Sequence, residues 1–78
     1  MGEEIRVLYF GTARETTGKN EELLTAEDTA DLRRQLIQKY PALGKIPFRM
    51  ALNKELLKAD APLNNNDIIA ILPPFQGG

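Results

Sequence analysis

Ile68-Ile69-Ala70-Ile71-Leu72, halted at once by Pro73-Pro74, is the stretch on which the fold turns. Its residue types favour strands, and the prolines, which have no N–H to give a sheet, stop it. A matching stretch lies near the other end of the chain, where Ile5-Arg6-Val7-Leu8-Tyr9-Phe10 alternates. A period of two puts Ile5, Val7 and Tyr9 on one face and Arg6, Leu8 and Phe10 on the other. In a small two-layer domain the last strand can lie beside the first, in the middle of the sheet.

Working outward from these two strands, residues 11–20 mix turn formers with charge and read as a loop, with one helical turn before Gly18. Residues 21–25 return as a second strand, with Leu23 or Leu24 inward. Asp28 can then cap a helix, Asp31 favours its positive first turn, and Leu32, Leu36, Ile37 and Tyr40 follow at helical spacing before Pro41 ends it. Arg33, Arg34 and Lys39 fall on the solvated side of that helix.

Phe48-Arg49-Met50-Ala51-Leu52-Asn53 alternates again, which predicts a third strand with Phe48, Met50 and Leu52 inward. Asn53-Lys54-Glu55 reads as a tight turn into a short strand at Leu56-Leu57, and residues 62–67 form a second turn in which one asparagine takes a left-handed conformation. The expected class is α+β: a mixed sheet of four to five strands with one main helix packed on one face. Residues 1–74 form the body and residues 75–78 a flexible tail. Leu8, Phe10, Ala70 and Leu72 then share the face turned away from the helix, with Leu56 near them. A contiguous apolar group on a sheet face suggests an interface.

Composition narrows the chemistry. A chain of 78 residues is one small domain, burying only roughly 60 % of the surface its unfolded form exposes. There is no Cys, His, Ser or Trp, so thiol chemistry, disulfides and the usual zinc ligands are excluded, and general acid–base catalysis loses its commonest member. Ten basic against eleven acidic residues, interspersed, argue against nucleic acid as a partner. No apolar run approaches the roughly 20 residues that span a bilayer, so no membrane role and a cytoplasmic location are expected. Any reactive group must be an unusual one.

Phe75-Gln76-Gly77-Gly78 directly follows the double proline. Glycines lack Cβ and are slim and flexible, although a Gly-Gly end is by itself a weak signal that a frayed terminus would also explain. Taken together, Phe10-Gly11-x-x-Arg14-Glu15-x-x-Gly18 and Pro73-Pro74-x-x-Gly77-Gly78 resemble the small, sulfur-carrying subunits of molybdopterin synthase, a ubiquitin-related family. Ala51-Leu52-Asn53-Lys54 and Pro62-Leu63-x-x-x-Asp67 resemble the family's middle and penultimate turn, so the likeness spans nearly the whole chain. Asn66 stands where the family more commonly has Gly, and Asn also accepts a positive φ.

The resemblance implies a ubiquitin-like β-grasp fold and a defined cycle. An ATP-dependent activating enzyme of the ubiquitin-activating kind adenylates the carboxylate of Gly78, and a sulfur donor converts it to a thiocarboxylate. Gly77 keeps the tail slim. The carrier then docks on a large subunit, giving a heterotetramer of two small and two large subunits, and donates sulfur to a cyclic pterin precursor. The chain itself binds no cofactor and no metal; the ATP is used by the activating enzyme. By the same analogy Leu8, Phe10, Arg14, Leu56, Leu72 and Phe75 contact partners; Arg14 and Glu15 read as an interface element or simply a loop ion pair, with a mixed role favoured. Two other classes stay open: a carrier for thiamine thiazole synthesis, tRNA thiolation or protein modification, and a non-covalent ubiquitin-like binding module.

Overall fold

The computed structural model of the chain describes residues 2–73. Five strands, β1 (Glu3–Tyr9), β2 (Glu21–Ala26), β3 (Arg49–Leu52), β4 (Glu55–Leu56) and β5 (Ile68–Leu72), form one sheet in the order β2-β1-β5-β3-β4. The first and last strands are parallel neighbours at its centre, and the other pairs are antiparallel. Helix α2 (Thr29–Lys39) provides the second layer, so the mixed α+β architecture expected from the sequence is the one observed.

The core follows from strand register. Val7 pairs with Ile69, Tyr9 with Ile71 and Met50 with Ile71, and residues directly opposite on neighbouring strands point to the same face. These side chains meet Leu32 and Leu36 of α2, Leu43 and Leu63, all buried. Leu36 is fully enclosed, so Leu36→Ala is expected to cost about 2–5 kcal/mol through lost contacts and the cavity left behind. Urea unfolding should show a lowered midpoint with an unchanged slope.

Helix α2 begins as its sequence dictates, with the Asp28 carboxylate accepting from the Asp31 N–H at 2.7 Å. Thr29 is the one buried polar residue described, and its hydroxyl is used twice. It donates to Asp60 Oδ1 at 3.1 Å and accepts from the Ala61 N–H at 2.9 Å, which ties the loop before β5 to the start of the helix.

The left-handed positions also fall where the turns need them. Asn53 (φ 50°) and Lys54 (φ 76°) form the two-residue turn between β3 and β4, and Asn66 (φ 72°) serves the turn before β5. The Asn53 side chain joins the two turns, accepting from the Ile68 N–H at 2.9 Å and donating to Asp67 at 3.0 Å.

Some boundaries differ from expectation. Residues 11–17 form a two-turn helix, α1 (Gly11–Thr17), closed by Gly18 at φ 74°, where one turn was expected. Only Ala13 anchors it in the core, so the sequence has no apolar stripe to announce it. Arg14 and Glu15 are successive helical residues that do not face each other, and they form no ion pair among the described residues. Phe10 lies just beyond β1, as the extended residue before α1. Strand β3 starts at Arg49, β4 is only Glu55–Leu56, and Pro41–Lys45 forms a short 3-10 helix that buries Leu43. On β2 it is Leu24 that packs on the core, while Leu23 is 60 % exposed.

Candidate functional site

The sheet face turned away from α2 carries a row of small and apolar residues. Leu8 pairs with Ala70, Ala70 with Ala51, and Ala51 with Leu56, so one line crosses β1, β5, β3 and β4. The small side chains of Ala70 and Ala51 leave the middle of this line low. A depression of about 520 Å³ results, lined by Leu8, Phe10, Ala51, Ile68, Ala70 and Leu72, with Asn53 and Lys54 on its rim. Phe10 is 42 % and Ile68 38 % exposed.

Of the residues singled out from sequence, Leu8, Phe10 and Leu72 are therefore brought together. Leu56 does not line the depression; it continues the row at the β4 edge and is 45 % exposed. Arg14 is an exposed residue on α1 and is not part of the depression. Phe75, Gly77 and Gly78 lie outside the described residues. Ile68 and Ala51 belong to the site although sequence reading had not named them as site residues. Period two already set Ile68 on the face of Ala70, and Ala51 opposite to Met50 and Leu52.

The depression adjoins the root of the tail. Leu72, the last residue of β5, lines it, and Pro73 follows directly. Gly11, at φ 55°, sits against Pro73; a Cβ at this position would come within 3.2 Å of the proline Cγ. The Phe10 N–H also donates to the Ile71 carbonyl at 3.1 Å. The start of α1 thus braces the end of β5 where the tail begins.

The main polar cluster lies elsewhere. Glu22 on β2 accepts from the Tyr9 hydroxyl, from the Tyr40 hydroxyl at 2.8 Å, from Lys39 Nζ at 2.7 Å and from Lys19 Nζ at 3.3 Å. Burial opposes its ionisation, but the hydrogen bonds from Lys39, Tyr9, Tyr40 and Lys19 outweigh that and bring its pKa from 4.5 down to about 2. Burial and the neighbouring Glu22 push the Tyr9 phenol above its ordinary value, so it remains a donor. A carboxylate so fully satisfied is a poor acid or base at neutral pH. It is a staple joining β1, β2 and the end of α2.

Because the folded pKa of Glu22 is depressed, the stabilisation is present above pH about 4.5 and is lost as pH falls through about 2. Glu22→Gln is expected to lower stability at pH 7 by about 1–3 kcal/mol. The difference from the parent should shrink steadily between pH 4.5 and 2. Urea titrations across that window check both statements.

Among the described residues no cluster of Asp and Glu is arranged to hold a metal ion, and no helix is long and apolar enough to cross a membrane. The arrangement is an apolar depression beside Pro73, apart from the Glu22 cluster.

Comparison with known proteins agrees with this description. The chain is 38 % identical to the molybdopterin synthase sulfur carrier subunit of Chlamydomonas reinhardtii, over 96 % of this chain and 99 % of that protein. Its fold matches the solution structure of small archaeal modifier protein 1 from Methanosarcina acetivorans, with a TM-score of 0.87 and 28 % identity over 100 % of this chain and 99 % of that one. It also matches a chain in the complex of subunits 1 and 2 of the molybdopterin-converting factor from Helicobacter pylori. There the TM-score is 0.75 and the identity 29 %, over 96 % of this chain and 99 % of that one. The sheet is thus a ubiquitin-like β-grasp, and a family model matches residues 7–78. The chain belongs to the ThiS family.

Proposed function

We propose that this protein is the sulfur carrier of a molybdopterin synthase, with the C-terminal carboxylate of Gly78 as its working group. The observation that carries the reading is the apolar depression at Leu8, Phe10, Ala70 and Leu72, set beside the root of the Gly-Gly tail. A body that docks there has the tail within reach of its own active site. The Chlamydomonas relative bears the corresponding name over almost its whole length, and the Helicobacter match is to a two-subunit complex.

The chemistry follows from the terminal group. An α-carboxylate with a pKa near 3.3–3.7 is an unreactive anion at neutral pH. Adenylation by an activating enzyme, with ATP as substrate and pyrophosphate leaving, turns one carboxylate oxygen into a leaving group. A donor of sulfide-level sulfur then attacks the acyl carbon, AMP leaves, and the product is a thiocarboxylate, a soft nucleophile with no side chain to obstruct it. Docked on the large subunit, the carrier donates this sulfur to a cyclic pterin precursor, two loaded carriers supplying two sulfurs in a heterotetramer. The chain supplies the body that binds, the strand that aims and the tail that reacts; catalysis belongs to its partners.

The match to a small archaeal modifier protein supports a second reading, in which the activated Gly78 is joined to an amine of another protein. Intact-mass analysis separates the two. After incubation with ATP, a sulfur source and the host's activating enzyme, an oxygen-to-sulfur exchange located at Gly78 by fragmentation supports the carrier. An isopeptide bond to another protein supports the modifier, and an unmodified terminus removes both.

A further inference from the structure

A second groove lies apart from the apolar depression. It has a volume of about 270 Å³ and is lined by Arg33 of α2, Phe48 and Arg49 at the start of β3, and Leu57, Lys58 and Asp60 in the loop after β4. Arg33, Arg49 and Lys58 are all exposed, and none makes an ion pair among the described residues. Three of the chain's other cations do have partners: Lys19 and Lys39 hold Glu22, and Arg34 holds Asp31.

The groove has a built wall and one engaged acid. The Arg33 guanidinium carbon lies 5.9 Å from the centroid of the Phe48 ring, a cation–π contact that steadies the planar fork. Asp60 accepts from the buried Thr29 hydroxyl, which ties it in place, and its single negative charge offsets one of the three cations. Three cations therefore face one tethered carboxylate, in a protein whose formal net charge is -1.

We propose that this groove binds an acidic peptide segment of a partner protein, its carboxylates taken by Arg33, Arg49 and Lys58. Forked guanidinium groups suit carboxylates, and a cationic rim speeds and orients docking more than it adds affinity. The position favours a protein. Arg49 is paired in the sheet with Leu72, which lines the apolar depression, so a body seated on the depression meets Arg49 first and reaches the rest of the groove, on the α2 side with Arg33, around the edge of the sheet. A nucleic acid would need a longer track of free cations than this short groove supplies.

The test is an NMR titration of the full-length ¹⁵N-labelled protein at low salt with an N-acetylated hexaglutamate amide, against hexaglutamine, inorganic phosphate and hexathymidylate. Saturable shifts at the amides of Arg33, Phe48, Arg49, Lys58 and Asp60 are expected with hexaglutamate alone. Arg49→Glu should weaken them about fivefold and Lys45→Glu leave them unchanged; Lys58→Gln and Arg33→Gln repeat the test without a charge reversal, should Arg49→Glu fold poorly. Absent shifts, shifts spread over all basic residues, or stronger binding of phosphate or hexathymidylate at the same amides would each overturn the proposal. The titration does not depend on Gly78, so a chain that fails to load sulfur and still binds hexaglutamate counts against the carrier reading alone.

Discussion

Deleting Gly78 is expected to abolish sulfur loading completely while leaving the folded domain and its docking face intact. The truncated chain still ends in a glycine carboxylate, that of Gly77, so the chemical group is not lost. Its position is. One residue of extended chain is about 3.3–3.6 Å, and a misplacement of about 1 Å at a reacting centre already costs on the order of 100-fold. A carrier whose carboxylate must reach two different active sites from one docking surface has little tolerance for that shortfall. The core around Leu36 and the Glu22 staple are built by residues of the body, so thermal unfolding should be unchanged. Intact mass after incubation with ATP, a sulfur source and the activating enzyme reads the loss directly. A truncated chain that still supports dithiolene formation at the parent rate would show that the domain works by non-covalent binding and that the tail is incidental.

The parts of this fold legible in the sequence are those where one physical signal suffices. Strands β1 and β5 announce themselves through alternation and a proline stop, α2 through the Asp28 cap and leucines at helical spacing, and the turn before β5 through three asparagines, of which Asn66 takes the positive φ. Helix α1 reads from sequence as a single turn because its only buried side chain is that of Ala13, and its start depends on Gly11 at φ 55° packed against Pro73, a contact between residues far apart in sequence. The Glu22 cluster was invisible for the same reason. Tyr9, Lys19, Tyr40 and Lys39 converge on it from one strand, a turn and a helix end, and no local pattern marks them as partners. At the site, alternation placed Leu8, Phe10 and Leu72 on the outer face. The depression among them exists because Ala51 and Ala70 are small and adjacent, which only the β3–β5 register reveals.

Phe10→Asp is expected to weaken binding to the large subunit by about 100-fold, equivalent to about 2.7 kcal/mol, while changing stability by no more than about 0.5 kcal/mol. The asymmetry rests on where Phe10 sits. Phe10 is 42 % exposed and lines the depression with Leu8 and Leu72, so little core packing is lost when its ring is removed. Its backbone N–H bond to Ile71 is retained by any residue except proline. In the complex, the new carboxylate would be taken from water into a largely apolar contact, which is costly for a charged group even with Lys54 on the rim. Leu23→Asp is the control, since Leu23 is 60 % exposed on β2 and does not line the depression. The same charge there should leave affinity within about twofold of the parent. Isothermal titration of the large subunit with each variant gives the comparison. Equal affinities for the Phe10 variant and the parent would mean that the partner docks on another face and that the depression beside the tail is not the site.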